Sequence, residues 1–330
     1  MPHAQTTHPA SEGKESPPDP LEEEVENLVA EVEALAATAK STRTLEAYRK
    51  AQTAWEAWCT AKGRSALPAT PQTVSMYLVA RNRLHLKPAT LELDLVAISL
   101  AHKAAGFPSP REDYLVRAAF AGIRRRRGTK QTQKAPLLRD DLKKICAALP
   151  DSLRGKRDKA LLLVGWASAC RREELVALTR ADVVFAPRGL IVQLVRSKTD
   201  QEGAGQKKAI FKARNPDLCP VQALSDWLSA SQIKRGPLFR ELNRHGQVGE
   251  AALSGQSVAL IIKRAVKDAG LSPENYSGHS LRAGLATQAA LDGKSERAIM
   301  RQTGHKSPAM TRRYIRDAEL WTDNVTEGLL

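Results

Sequence analysis

Cysteine is scarce. Cys59, Cys146, Cys170 and Cys219 are the only four in 330 residues, and none stands in a C-x-x-C pair. That excludes a disulfide framework and a zinc site built on paired cysteines, and it predicts reduced thiols in a core. Long apolar runs are missing as well: no window approaches the roughly 18 consecutive apolar residues that a membrane span needs, which excludes a transmembrane role. Residues 1–20 contain no apolar segment, so they read as a disordered leader and not as a signal peptide, and export is not expected. No Walker loop, carboxylate cluster, metal-ligand spacing or internal repeat occurs, so no metal and no cofactor are expected.

Basic charge is abundant. Lys and Arg number 51 against 36 Asp and Glu, a formal net charge of +15. The excess is uneven: residues 1–40 hold nine acids and two lysines, net −7, and residues 41–330 hold 49 bases and 27 acids, net +22. Such a surplus points to a polyanionic partner, because each phosphate neutralised by Lys or Arg releases counterions and supplies affinity before any sequence is read. A basic surface also suits ribosomes and membrane surfaces, so charge by itself leaves the partner open.

At this length two domains with tails are expected. Leu21, Val25, Leu28, Val29, Val32 and Leu35 recur at helical spacing within 21–40, an acidic amphipathic helix with one apolar stripe. Residues 41–128 read as four helices, at about 44–61, 72–83, 89–105 and 112–127, each closed by a breaker. Trp55 and Trp58 share the apolar face of the first and are assigned to its core. Residues 129–136 read as a linker, and the cations Arg124, Arg125, Arg126, Arg127, Lys130 and Lys134 suit a strap along a phosphate backbone. Residues 137–316 form the second domain, with helices at about 139–148, 157–168 and 172–178. A small β-patch follows at 183–186, 190–195 and 207–211, then helices at about 221–231, 257–269, 281–291 and 295–301. A last helix is expected near 317–325, in an apolar tail of residues 317–330 that either packs on its own domain or docks into a neighbouring copy. The fold class is therefore mainly α with a small antiparallel β-sheet.

Four separated segments carry the polar groups that metal-free phosphoryl transfer requires: Arg171 with Glu174, Lys198, the pair His279 and Arg282, and the run from His305 to Tyr314. Attack on a phosphodiester develops negative charge on the non-bridging oxygens, and planar guanidinium forks grip two oxygens at once. Arg171 and Arg282 would supply that clamp, and His305 a further hydrogen bond. A phenol ionises near pH 10 in water, so a tyrosine nucleophile needs a base, for which His279 is the candidate. Lys198, on a loop with Gly203 and Gly205, is the candidate acid for the departing oxygen.

The strings Arg171-Arg172-Glu173-Glu174-Leu175, Ser197-Lys198-Thr199, Gly278-His279-Ser280-Leu281-Arg282 and Gly304-His305, with Tyr314 nine residues after that histidine, resemble the motifs of the tyrosine recombinases. The resemblance covers about residues 40–320 and points to the two-domain, Cre-like or Xer-like type, because the acidic first forty residues do not suit an arm-binding module. It departs at Ala169, where the family often has glycine. It implies a helical core-binding domain at 41–128 and an α+β catalytic domain that clamp double-stranded DNA at an inverted-repeat site. It also implies a homotetramer on two sites, a 3′-phosphotyrosine formed by Tyr314 and released as a free 5′ hydroxyl on the other side of the break, Holliday-junction exchange, and a cytoplasmic, nucleoid- or plasmid-associated enzyme. Two rivals share the motifs: a type IB topoisomerase-like relaxing enzyme, and a non-catalytic DNA-binding regulator on the same scaffold.

Overall fold

Residues 41–128, 134–194 and 205–318, with 24, 27, 28, 31, 32 and 326, are described by a computed structural model. The leader, most of the acidic helix, Lys130, Lys198 and nearly all of the tail lie outside them. Positions 24, 27, 28, 31 and 32 are helical, and Leu28 and Val32 of the apolar stripe are exposed. The chain divides into two compact units between residues 131 and 132.

Residues 41–128 of the first unit form four α-helices: α1 (Thr42–Ala61), α2 (Pro71–Arg83), α3 (Pro88–Ala104) and α4 (Tyr114–Arg127). Ser41 starts α1 by accepting from the Thr44 amide, Thr70 caps α2 in the same way, and Pro71 and Pro88 stand at helix starts, where a missing N–H costs nothing. Trp55 is fully buried with Tyr77, Leu78, Leu91 and Ile98, and Trp58 packs against that cluster. Both tryptophans are core, as their spacing predicts. Buried His102 joins two segments: its Nδ1 donates to the Ile98 carbonyl, and its Nε2 accepts from the Ala69 amide.

The second unit is built on α6 (Leu153–Ser168), which is buried almost all round. Its start lies four residues before the expected Arg157, because Ser152 caps the Gly155 amide and charged Arg154 and Lys156 obscure the apolar period. Around it stand α5 (Arg139–Ala148), α7 (Arg172–Ala177), α8 (Pro220–Ser231), α9 (Gly255–Asp268), α10 (Ser280–Leu291), α11 (Glu296–Thr303) and α12 (Pro308–Ala318). Strands β1 (Val183–Ala186), β2 (Gly189–Leu194) and β3 (Gln206–Phe211) form an antiparallel meander, with Val192 opposite Lys208 and Leu190 opposite Ile210. The loop bearing Lys198 joins β2 to β3. A second hairpin, β4 (Arg240–Leu242) with β5 (Val248–Ala252), has no counterpart in the sequence-based expectation. Helix α12 is another correction: helix runs from Pro308, so Tyr314 sits inside a helix that the expectation placed only from 317 onward. All four cysteines are buried, free thiols.

Candidate active site

The last turn of α6 is the frame of the site. Every α-helix ends with carbonyls that lack an intrahelical partner and carry partial negative charge. Here three consecutive ones are taken by side chains from three other elements: Ala167 O by Gln302 Nε2 of α11 (2.7 Å), Ser168 O by Lys208 Nζ of β3 (2.8 Å) and Ala169 O by Arg282 Nη1 of α10 (2.8 Å). The chain leaves the helix through Ala169, whose φ of +50° is the left-handed cap that explains a glycine preference there. Two residues later Arg171 emerges at the start of α7.

Glu174 fixes Arg171 at both ends. Its buried carboxylate accepts from the Arg171 amide (2.9 Å) and from Nη1 of the guanidinium (2.6 Å). Arg282, one turn into α10, is buried, and its Nη2 has no hydrogen-bond partner among the described residues. Burial first, then the Arg171 charge, pull its pKa to about 10 against Glu174 and Tyr314, so it stays cationic at neutral pH. His305 is buried one residue after Gly304, which ends α11 in the left-handed conformation. Its Nδ1 meets Thr303 Oγ1 (3.0 Å) and Thr311 Oγ1 (3.1 Å). Burial, then Arg282, Arg171 and Lys208, hold His305 down to about 4, which makes it a neutral imidazole at pH 7. Its ring stacks on Tyr314 at 5.9 Å and 7°, with no hydrogen bond between them, and the half-buried phenol also packs against Ala286, Ala290 and Ile299.

Arg171, Glu174, Arg282, His305 and Tyr314 are thus gathered around one turn. His279 is exposed at the N-terminal cap of α10, one turn from Arg282. Among the proposed strap cations, Arg124 lies over the Phe120 ring, Arg127 donates to Asn82 Oδ1 and reaches His85, and Lys134 donates to the Glu274 carbonyl. Arg125 and Arg126 are exposed in the last turn of α4. Sequence reasoning missed Lys208, Gln302, Thr303 and Thr311. For Lys208 a signal was present: strict alternation puts it in phase with buried Ile210.

The chain belongs to the phage integrase family, whose model matches residues 136–320. Within it the chain is a tyrosine recombinase, an enzyme that cuts and rejoins DNA in site-specific recombination. It is 42% identical over 291 residues to an integrase/recombinase xerD homolog of Selenomonas ruminantium, covering 86% of this chain and 84% of that protein. It is 26% identical to recombinase cre of Escherichia phage P1, over 80% of this chain and 81% of that protein. Among solved structures, a lambda integrase dimer bound to a COC' core site shares the fold at a TM-score of 0.58 and 20% identity, covering 90% of this chain and 97% of that one.

Proposed function

We propose that Tyr314 is the nucleophile of this recombinase and that Arg171, Arg282 and His305 form its phosphate pocket. The observation that carries the reading is Arg282 Nη2, a buried, charged donor with no acceptor among the described residues, beside a second arginine and a stacked phenol. A buried donor left unpaired costs about 1–3 kcal/mol, and more when charged, so it awaits an acceptor. A non-bridging phosphate oxygen supplies one.

In the step, the Tyr314 oxygen attacks phosphorus, the bond to the 5′ oxygen breaks, and a 3′-phosphotyrosine forms. His279 takes the phenol proton and Lys198 gives one to the departing 5′ oxygen. Stacked ring faces cannot pass a phenol proton, which is why His279 is favoured over His305 as base. His305 donates instead to the phosphate, and Glu174 acts by orienting Arg171. Because the ester keeps the bond energy, an incoming 5′ hydroxyl reverses the reaction without ATP or metal.

The partner is double-stranded DNA with an inverted-repeat site, contacted by a core-binding domain at 41–128 and a catalytic domain at 137–316. The linker at 129–136 and the cations Arg124 to Arg127, Lys130 and Lys134 follow its backbone. Exchange proceeds in a homotetramer on two sites through a Holliday junction. An apolar cavity of about 680 Å³ lined by Leu142, Leu163, Trp166, Leu285 and Ile299 offers a seat for the tail of a neighbouring copy. No described helix is long and apolar enough to cross a membrane, in keeping with action on nucleoid or plasmid DNA in the cytoplasm.

The test is nicked DNA carrying the site that footprinting recovers. The native chain should be trapped as a covalent adduct, and Tyr314→Phe should bind equally well and form none. An adduct with Tyr314→Phe would remove the assignment.

A further inference from the structure

One buried cation beside this pocket has no part in the reaction just described. Lys208 is 2% exposed on the inward face of β3, opposite Val192, and its hydrogen bond goes to the Ser168 carbonyl. Burying an ammonium is expensive, several kcal/mol even after relaxation, unless an anion faces it. A glutamine could make the same tie to Ser168 at far lower desolvation cost. Burial disfavours the Lys208 cation most; Cys170 and Glu174 act in its favour, and Arg282 and Arg171 oppose it, while burial also pushes the Cys170 thiol up. With His305 neutral and Lys208 protonated, three cations against one carboxylate give the described pocket a net +2. A phosphodiester carries one negative charge, and its five-coordinate transition state carries two. The surplus therefore matches the transition state better than the bound substrate, which is the condition for catalysis by fixed charge.

We propose that Lys208 is a positioning residue of the phosphate pocket: it ties β3 to the end of α6 and completes the positive charge that Arg171 and Arg282 aim at the reacting phosphate. The proposal rests on the Tyr314 reading above. Its charge, added to that of the two arginines, is the larger part of that action, and the tie holds in place the segment from which Arg171 emerges. Lys208 holds the carbonyl of Ser168, Arg282 holds the next carbonyl along the chain, and Arg171 follows two residues later.

The experiment measures single-turnover adduct formation by the full chain on nicked site DNA with either a phosphodiester or a neutral methylphosphonate at the scissile position. On the phosphodiester, Lys208→Met should react roughly 10²–10³-fold more slowly, with site affinity within about threefold of wild type. On the methylphosphonate, whose transition state carries one charge fewer, the deficit should shrink to about tenfold or less. Lys208→Arg should stay within about tenfold of wild type on both. Lys208→Gln keeps the tie to Ser168 without the charge and should behave like Lys208→Met, which covers failure of the methionine variant to fold. Equal deficits on the two linkages, or a wild-type rate for both neutral variants, would overturn the proposal. A wild-type chain that forms no adduct on either DNA would overturn the Tyr314 reading and this proposal together.

Discussion

Arg282 shows how little of a residue's role lies in its charge alone. One Nη donates to Ala169 O at the end of α6 and the other has no partner among the described residues and, in the proposed mechanism, meets the phosphate, an arrangement that a compact ammonium cannot reproduce. Arg282→Lys should therefore lower adduct formation by roughly 10²–10³-fold while site affinity changes little, measured by single-turnover cleavage beside a mobility shift. His305 yields a prediction on stability. Its folded pKa near 4 lies below the ordinary 6.5, so as pH falls through that window the unfolded chain binds a proton that the folded chain refuses. Stability is retained above pH 6.5 and declines toward pH 4, by about 3 kcal/mol in full. Urea midpoints at the two ends of the window should fall less for His305→Gln than for wild type; an equal fall would place the lost stability elsewhere.

Elements, in contrast, act through backbone contact. Helix α10 carries Arg282, and two residues on its Gly284 lies against the segment before α5, where an added Cβ would stand 1.9 Å from the Leu137 carbonyl oxygen. Gly284→Ala should cost about 3 kcal/mol in urea unfolding and reduce adduct formation with it, since α10 cannot move aside without shifting Arg282. This scale also shows what was legible in the sequence. The four helices of 41–128 were readable from breakers and caps, and the motif residues from chemistry that few side chains can perform. The hairpin at 240–252 was not, because β5 is mostly exposed and has no apolar alternation. Lys208 was passed over because the loop before it already offered Lys198, and burial of a lysine needs the α6 carbonyls, which only the tertiary fold brings to it. The gathering of Lys208, Arg282 and Gln302 on three successive carbonyls depends on contacts that span 40, 113 and 135 residues of chain, beyond any local pattern.

At the scale of the whole molecule, the net +22 of residues 41–330 predicts binding dominated by counterion release. If roughly six to ten phosphates are contacted per protomer, affinity should fall by roughly 10³–10⁵ between about 50 and 200 mM salt, in a titration of site DNA. A flat response would remove the backbone-tracking role of the arginine run. The central claim is that a positively charged pocket around one helix end turns Tyr314 into the point of covalent attachment to DNA. Its most direct test is to trap the adduct on nicked site DNA, digest protein and DNA, and locate the nucleotide by mass spectrometry. The account predicts a 3′-linked nucleotide on the peptide that contains Tyr314, with a free 5′ hydroxyl on the released strand; a nucleotide on any other residue, or a phosphate left on the 5′ end, would contradict it.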